Sequence, residues 1–327
     1  MTRYILNRCK RYTWILLIVT LIWTLSTMAS QYIYKFIGFV IDYGLNFSGS
    51  EYTGEFSFLF NGTFGNYGTL KLVLTLSVCI VLCALLSYVM GYLSSYVQMK
   101  GQHLVANAYR VEIFNKSKRK KMPYSSGDFI VLLHEDIYQP ANIFISYYPG
   151  MLNNLLSTIL TLMMLGGISP YLLITPLALT PLLVYYSIKY NKANYKENKL
   201  YRNVDGELKE TITRVTATRD LANYELFKDV NNRHTSERKQ LSHVGNNYSV
   251  ILNSIKLAIY IISCTVAGVL AIRGDILIGE YLIFTSFINT IYTQILSFIN
   301  YIITIKSTYP RIEKVRTLME EHLNESK

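Results

Sequence analysis

The 327-residue chain is 51% hydrophobic and only 16% charged, with a mean hydropathy of +0.23, a balance that places it among integral membrane proteins rather than soluble domains. Its formal charge of +11 comes from basic residues gathered between apolar runs, where cytosol-facing loops collect Lys and Arg, and this distribution argues against a nucleic-acid partner. The cysteines Cys9, Cys79, Cys83 and Cys264 offer no disulfide framework, and no metal site forms around Cys79 and Cys83, which lack a neighbouring His or carboxylate.

Residues 1–12, with Arg3, Arg8, Lys10 and Arg11, read as an amphipathic elbow ahead of the first apolar run. That run is too long for a signal peptide and carries no small-residue cleavage site, so it is expected to stay as a span. Runs near Trp14–Val40, Leu70–Tyr96, Ile143–Ile168, Tyr171–Ile188, Val250–Ile272 and Tyr281–Ile305 approach the ~20 residues that cross a bilayer. Six crossings follow. The loop Asn46–Thr69 has Glu51 and Glu55 but no Lys or Arg and reads as external, whereas the segments at about 97–142 and 189–249 are rich in cations and read as cytosolic, with both termini.

Past the second span, Leu104, Ala108, Val111 and Phe114 recur at helical spacing, so that span is expected to continue as a helix beyond the membrane. Gly166-Gly-Ile-Ser-Pro170 closes an external hairpin. The stretch Lys189–His243 has no Pro and reads as two long helices around a short turn, where ~20 residues reach roughly 30 Å into the cytosol. Gly268-Val-Leu-Ala-Ile-Arg-Gly-Asp-Ile-Leu-Ile-Gly-Glu-Tyr-Leu-Ile-Phe284 joins two apolar segments through a tight polar turn. The fold class expected is an all-α membrane protein of six transmembrane helices with long cytosolic helical extensions, a domain over 13–318, and a polar tail or linker stump over 319–327.

The Gly268–Phe284 hairpin resembles the link between the fifth and sixth helices of ATP-binding-cassette (ABC) exporters. Phe39-Val-Ile-Asp42-Tyr-Gly-Leu45 is similar to the close of that family's first span, and Met122–Asp136 resembles its first coupling segment. Tyr309-Pro-Arg311-Ile312-Glu313 is similar to the stretch leading toward the ATPase domain. In Glu210–Glu225 the flanking glutamates of the second coupling segment are present, but Arg214 or Ala217 stands where the family usually has a glycine.

The resemblance implies an ABC exporter transmembrane-domain fold in a bacterial plasma membrane. It implies a membrane-spanning subunit that forms a translocation path for an exported peptide, lipid or drug. Its partners would be an ABC ATPase and a second transmembrane subunit, identical or homologous. No phosphate-cradling Gly-x-x-x-x-Gly-Lys-Ser/Thr loop, Ser-Gly-Gly signature or strand ending in Asp-Glu is present, so the chain is expected not to be an enzyme by itself. No cofactor is assigned to it, and ATP and Mg would sit on the partner ATPase, either a separate polypeptide or a detached domain. Rival readings are an ABC-like sensor or immunity subunit and a motor-independent secondary transporter.

The resemblance assigns coupling to the ATPase to two loop tips, Gly127, Asp128, Phe129, Ile130 and Leu132 in the first and Arg214, Thr218, Arg219 and Asp220 in the second. Gly127 permits a sharp turn and Asp128 a cap for the short helix that follows. Polar residues on single helix faces are candidates for the path: Thr27 and Gln31 on the first span, Asn154 and Ser157 on the third, and Thr290, Thr293, Ser297 and Asn300 on the sixth. The same residues could instead hold the bundle together by interhelical hydrogen bonds. Tyr88 and Tyr92 stack one turn apart on the second span, as a wall for cargo or as packing and interface anchors. Lys35 and Lys256 are expected to snorkel toward opposite membrane faces.

Overall fold

The structure is a computed structural model, and it describes residues 2–45, 69–117, 132–218 and 221–320. The described residues are helical almost throughout. Helix α1 spans Thr2–Arg8, α2 Thr13–Phe39, α3 Thr69–Ser117, α4 Tyr138–Asn142, α5 Tyr148–Ile168, α6 Tyr171–Thr218, α7 Leu221–Arg273 and α8 Ile278–Glu320. Six stretches among them are long and apolar enough to cross a membrane, at 10–42, 73–115, 132–168, 171–216, 224–273 and 278–309.

The chain divides into two compact units. The first, Met1–Pro176 with Ile262–Lys327, holds α1 to α5, the ends of α6 and α7, and α8. Here α2 packs along α3, and α2, α5 and α8 pack on one another. The second unit, Leu177–Ile261, is an antiparallel pair formed by α6 and α7. Between them Tyr190 packs against Tyr248, ring centroids 4.9 Å apart, and His234 Nε2 lies 3.3 Å from Asp205 Oδ1.

As the periodicity predicts, α3 runs without a break from the second apolar run into its polar extension. The third crossing starts less simply. A π-helical turn over Ile143–Tyr147 runs directly into α5, whose second residue is Pro149. Gly150 follows because the ring of Tyr301 fills its side-chain space; a Cβ there would lie 2.6 Å from Cζ. Pro176 and Pro181 lie inside α6, and the helix is assigned through both.

The densest packing in the first unit gathers the elbow, the extension of α3, the residues before α5 and the end of α8. Ile5 and Cys9 enter it from the elbow, Val105, Tyr109 and Ile113 from α3, Phe144 from the π turn, and Ile312, Val315 and Met319 from α8. Arg8 Nη1 ties the elbow to Glu112 of α3 at 3.0 Å. Cys9 Sγ meets the Tyr109 hydroxyl at 3.7 Å.

Burial is the largest influence on the Cys9 thiol and pushes it up from 9.0 to about 11, against the hydrogen bond with Tyr109 and the charge of Arg8, which lower it. A folded-state pKa raised in this way stabilises the fold fully below the pH where an unfolded thiol titrates, and the stabilisation is lost as pH rises toward 11. Thermal unfolding followed from neutral pH into that alkaline window should therefore decline more steeply in the parent protein than in Cys9→Ser. Equal slopes would contradict this account of the elbow.

Candidate functional site

The hairpin between α7 and α8 is built from its own backbone. Gly274 takes φ +80, the left-handed conformation that ends a helix, and Asp275 N–H donates to Leu270 C=O at 2.9 Å while Gly274 N–H donates to Ala271 C=O at 3.1 Å. These two bonds make a Schellman C-cap. On the other side, Leu277 N–H donates to Glu280 Oε2 at 2.8 Å, so Glu280 reaches back over the first turn of α8.

Leu277 occupies the N-cap position, and its side chain has no oxygen to receive an amide of that first turn. The acceptor comes from another helix. Gly279 N–H donates to Asp42 Oδ1 at 2.6 Å, across 237 residues of sequence, from the π-helical stretch Val40–Leu45 that follows α2. Asp42 is buried, and it can come this close because Gly38 and Gly279 bring the two backbones together. A Cβ at Gly279 would collide with the Gly38 carbonyl oxygen and the Asp42 carboxylate, and a Cβ at Gly38 would lie 2.6 Å from Ile283 Cδ1 and 2.9 Å from the Gly279 carbonyl oxygen.

Further along the same helices lies a buried polar seam. Gln31 Nε2 donates to Thr161 Oγ1 at 2.6 Å, and Thr27 donates to Trp23 C=O at 3.0 Å and to Asn153 Oδ1 at 3.4 Å. Thr158 connects α5 with α8 by donating to Gln294 Oε1 at 3.0 Å. Asn154 and Ser157 are buried on α5 beside these links. Gln31 Oε1 and Asn154 Nδ2 remain without a hydrogen-bond partner among the described residues, one an acceptor and one a donor. Between α2 and α3, Ser26 Oγ donates to Ser87 C=O at 2.8 Å and Ser87 Oγ to Ser26 C=O at 3.1 Å. Hydroxyls that bond a facing backbone let two helices approach in lipid.

The path candidates fall into two settings. Gln31, Asn154 and Ser157 are buried and Thr27 half-buried inside the first unit, where α2 and α5 bring them together. Thr290 and Ser297 are half-buried and Thr293 and Asn300 exposed on α8, on a face turned from its buried stripe of Phe284, Phe287, Ile291 and Tyr292. Tyr88 and Tyr92, 79% and 70% exposed, point outward from α3. Lys35 does not snorkel within this chain: it is 4% exposed, with its ammonium 5.8 Å from the Tyr32 ring centroid.

Of the coupling candidates, Gly127, Asp128, Phe129 and Ile130 lie outside the described residues, as do Arg219 and Asp220. Leu132 opens the π-helical turn Leu132–Asp136 and is buried in the main cluster. Arg214 is exposed near the end of α6, with Nη2 2.7 Å from Glu210 Oε1, and Thr218 is the last residue of that helix. Sequence reasoning passed over Asn153, Thr158 and Gln294 in the seam, and Gly38. An amide or hydroxyl one helical turn from a chosen polar residue was the available signal for the first three.

The model of the ABC transporter transmembrane region family matches residues 15–296 of the chain. The match covers α2 to α7 and the part of α8 that carries the Asp42 contact and the seam. No curated protein matches the chain.

Asp42→Ala leaves the Gly279 amide buried and unbonded, which should cost about 1–2 kcal/mol, as the loss of an N-cap does. Adding Leu277→Ser places an oxygen at the N-cap itself and should recover part of that loss in thermal unfolding of the detergent-purified chain. Gly279→Ala should cost about 1–3 kcal/mol through overpacking, with no rescue by Leu277→Ser.

Proposed function

The chain belongs to the ABC transporter transmembrane family, and on that premise we propose that it is the membrane-spanning subunit of an ATP-driven exporter. It forms the translocation path and couples ATP binding and hydrolysis by a partner ATPase to efflux of a peptide, lipid or drug. The observation that carries this reading is the family match across all six spans together with the helical continuity of α3, α6 and α7 beyond their apolar runs. A long helix is a lever: 48 residues of α6 and 53 of α7 extend about 70–80 Å each at the ordinary rise, well beyond a bilayer core.

The polar groups support a path that a second transmembrane subunit completes. Thr293 and Asn300 are left exposed by this chain in a segment that crosses the membrane, and lipid is a poor neighbour for them. Facing another copy or a homologue, they would line water or cargo. The spare hydrogen-bonding capacity of Gln31 and Asn154 is consistent with a polar ligand or water in the seam. The ATP and Mg would be held by the partner, and force would enter through the junction of α6 and α7 and the residues before α5. The membrane is read as a bacterial plasma membrane with both termini in the cytosol.

The test is ATP-dependent accumulation of candidate cargo in inside-out vesicles containing this chain and a co-expressed ABC ATPase. Arg214→Cys should cross-link to that ATPase and to no position on the external side, and Thr293→Leu with Asn300→Leu should lower cargo-stimulated hydrolysis several-fold without altering assembly. Cargo movement by the chain alone in ATP-free liposomes would instead establish a secondary transporter. ATPase activity indifferent to every cargo would point to a sensor.

A further inference from the structure

In the apolar run of α3, Tyr88, Tyr92 and Tyr96 recur one turn apart and are 79%, 70% and 40% exposed. Ser87 and Gly101 hold this helix against α2, Ser87 through its bonds with Ser26 and Gly101 by close packing on Ile15. At about 3.6 residues per turn, Tyr92 and Tyr96 come out on the opposite side, a face that the first unit leaves uncovered. The rings form a ladder: those of Tyr92 and Tyr96 have centroids 6.4 Å apart and planes 16° from parallel. One turn further on, the Lys100 ammonium sits 4.5 Å from the Tyr96 centroid, a cation over an aromatic face.

Packing fixes the depth of the ladder. A Cβ at Gly101 would lie 2.9 Å from Ile15 Cγ2, so Lys100 stands beside the start of the apolar run of α2, where Trp14 is 57% exposed. Tryptophan collects where membrane meets water. From that level Tyr96, Tyr92 and Tyr88 lie about 6, 12 and 18 Å along the axis into the span. Interface anchoring suits Tyr96 but not Tyr88. Acyl chains give a hydroxyl at such depth nothing to bond, so lipid is a poor neighbour for this face. A second copy of the chain does not complement Lys100 either: the six apolar runs contain no Asp or Glu, nor do the four residues that flank each run on the side of Lys100.

We propose that this face of α3 is a wall of the translocation path that grips an extended peptide cargo, with an acidic group of the peptide at Lys100. Alternate side chains of an extended peptide repeat every ~6.7 Å. The rings step by 6.4 Å, so each packs on one apolar side chain of the cargo. Every peptide unit carries an N–H and a C=O, which the phenolic hydroxyls meet at each rung. An amphiphile with a single polar head has no such groups opposite Tyr88 and Tyr92. The cargo carboxylate pairs with the Lys100 ammonium. Non-helical chain is tolerated at this depth only beside water or protein. The site therefore rests on the exporter reading, with its water-filled path, and narrows the cargo of that reading to a peptide.

The experiment places the full chain in phosphatidylcholine nanodiscs with a fluorescent peptide of alternating Leu and Gly that ends in a free carboxylate. Binding is read as anisotropy against protein-free discs. The C-terminal amide of the same peptide should bind about tenfold more weakly, and Lys100→Gln should erase that difference. Tyr88→Phe/Tyr92→Phe keeps the rings, removes two hydroxyls and should weaken binding about tenfold. Tyr171→Phe/Tyr185→Phe, at tyrosines also exposed on α6, should leave it unchanged. Tyr92→Cys should react with a membrane-impermeant maleimide and be shielded by the peptide. Equal affinity for acid and amide, unchanged affinity in Tyr88→Phe/Tyr92→Phe, or an equal loss in the α6 control would overturn the site. A Tyr92→Cys thiol beyond the reach of the maleimide overturns it too and gives the face to lipid or a second copy. No ATPase takes part in these measurements, so their failure strikes the ladder alone, whereas loss of ATP-dependent accumulation with peptide binding intact strikes the exporter reading.

Discussion

One backbone amide governs the arrangement of the first unit. Helix α8 begins at Ile278 behind a leucine that cannot cap it, in a setting where a buried and unbonded N–H costs about 1–3 kcal/mol. The Asp42 carboxylate meets that need from the end of α2. Because an aspartate is short, the two helices must nearly touch, and that is possible only where both lack a side chain, at Gly38 and Gly279. Cap, crossing and composition are therefore a single solution.

Away from that crossing, the chain separates its polar residues by what they face. Those inward on α2 and α5 bond across helices, Gln31 to Thr161, Thr27 to Asn153 and Thr158 to Gln294, beside bonds to their own helices such as Thr27 to Trp23 C=O. On α8 the exposed Thr293 donates to Asn289 C=O and the half-buried Thr290 to Ser286 C=O. Such local bonds make a hydroxyl tolerable in an apolar span without committing it to a neighbour. The two sets look alike in sequence, yet Gln31, Asn154 and Ser157 are buried in this chain while Thr293 and Asn300 are exposed.

That difference marks the limit of sequence reading here. The six spans and the runs of α3, α6 and α7 beyond them were legible because apolar length and helical period are local properties. The α7–α8 hairpin was legible because Gly274 and Asp275 supply a left-handed stop at a fixed offset. The words around Asp42 and Gly279 each stood out, but their pairing did not, since nothing in either word states its partner across 237 residues. Period tells which residues share a face and not which helix covers it, so Gln31 and Thr293 carried the same two readings, path or interhelical bonding, while the fold buries the first and leaves the second exposed. Lys35 went to the interface in sequence because its position along the span was visible, while the burial imposed by neighbouring helices was not.

The cluster that receives the elbow also receives the last turns of α8, so Ile5 and Met319 are sealed into the same interior. Opposite extremities of the described polypeptide thus share a common mooring. A pull that drags α8 lengthwise must either carry the amino-terminal helix along or tear open the interior that both occupy, which makes the elbow a passenger of the sixth crossing rather than an independent anchor.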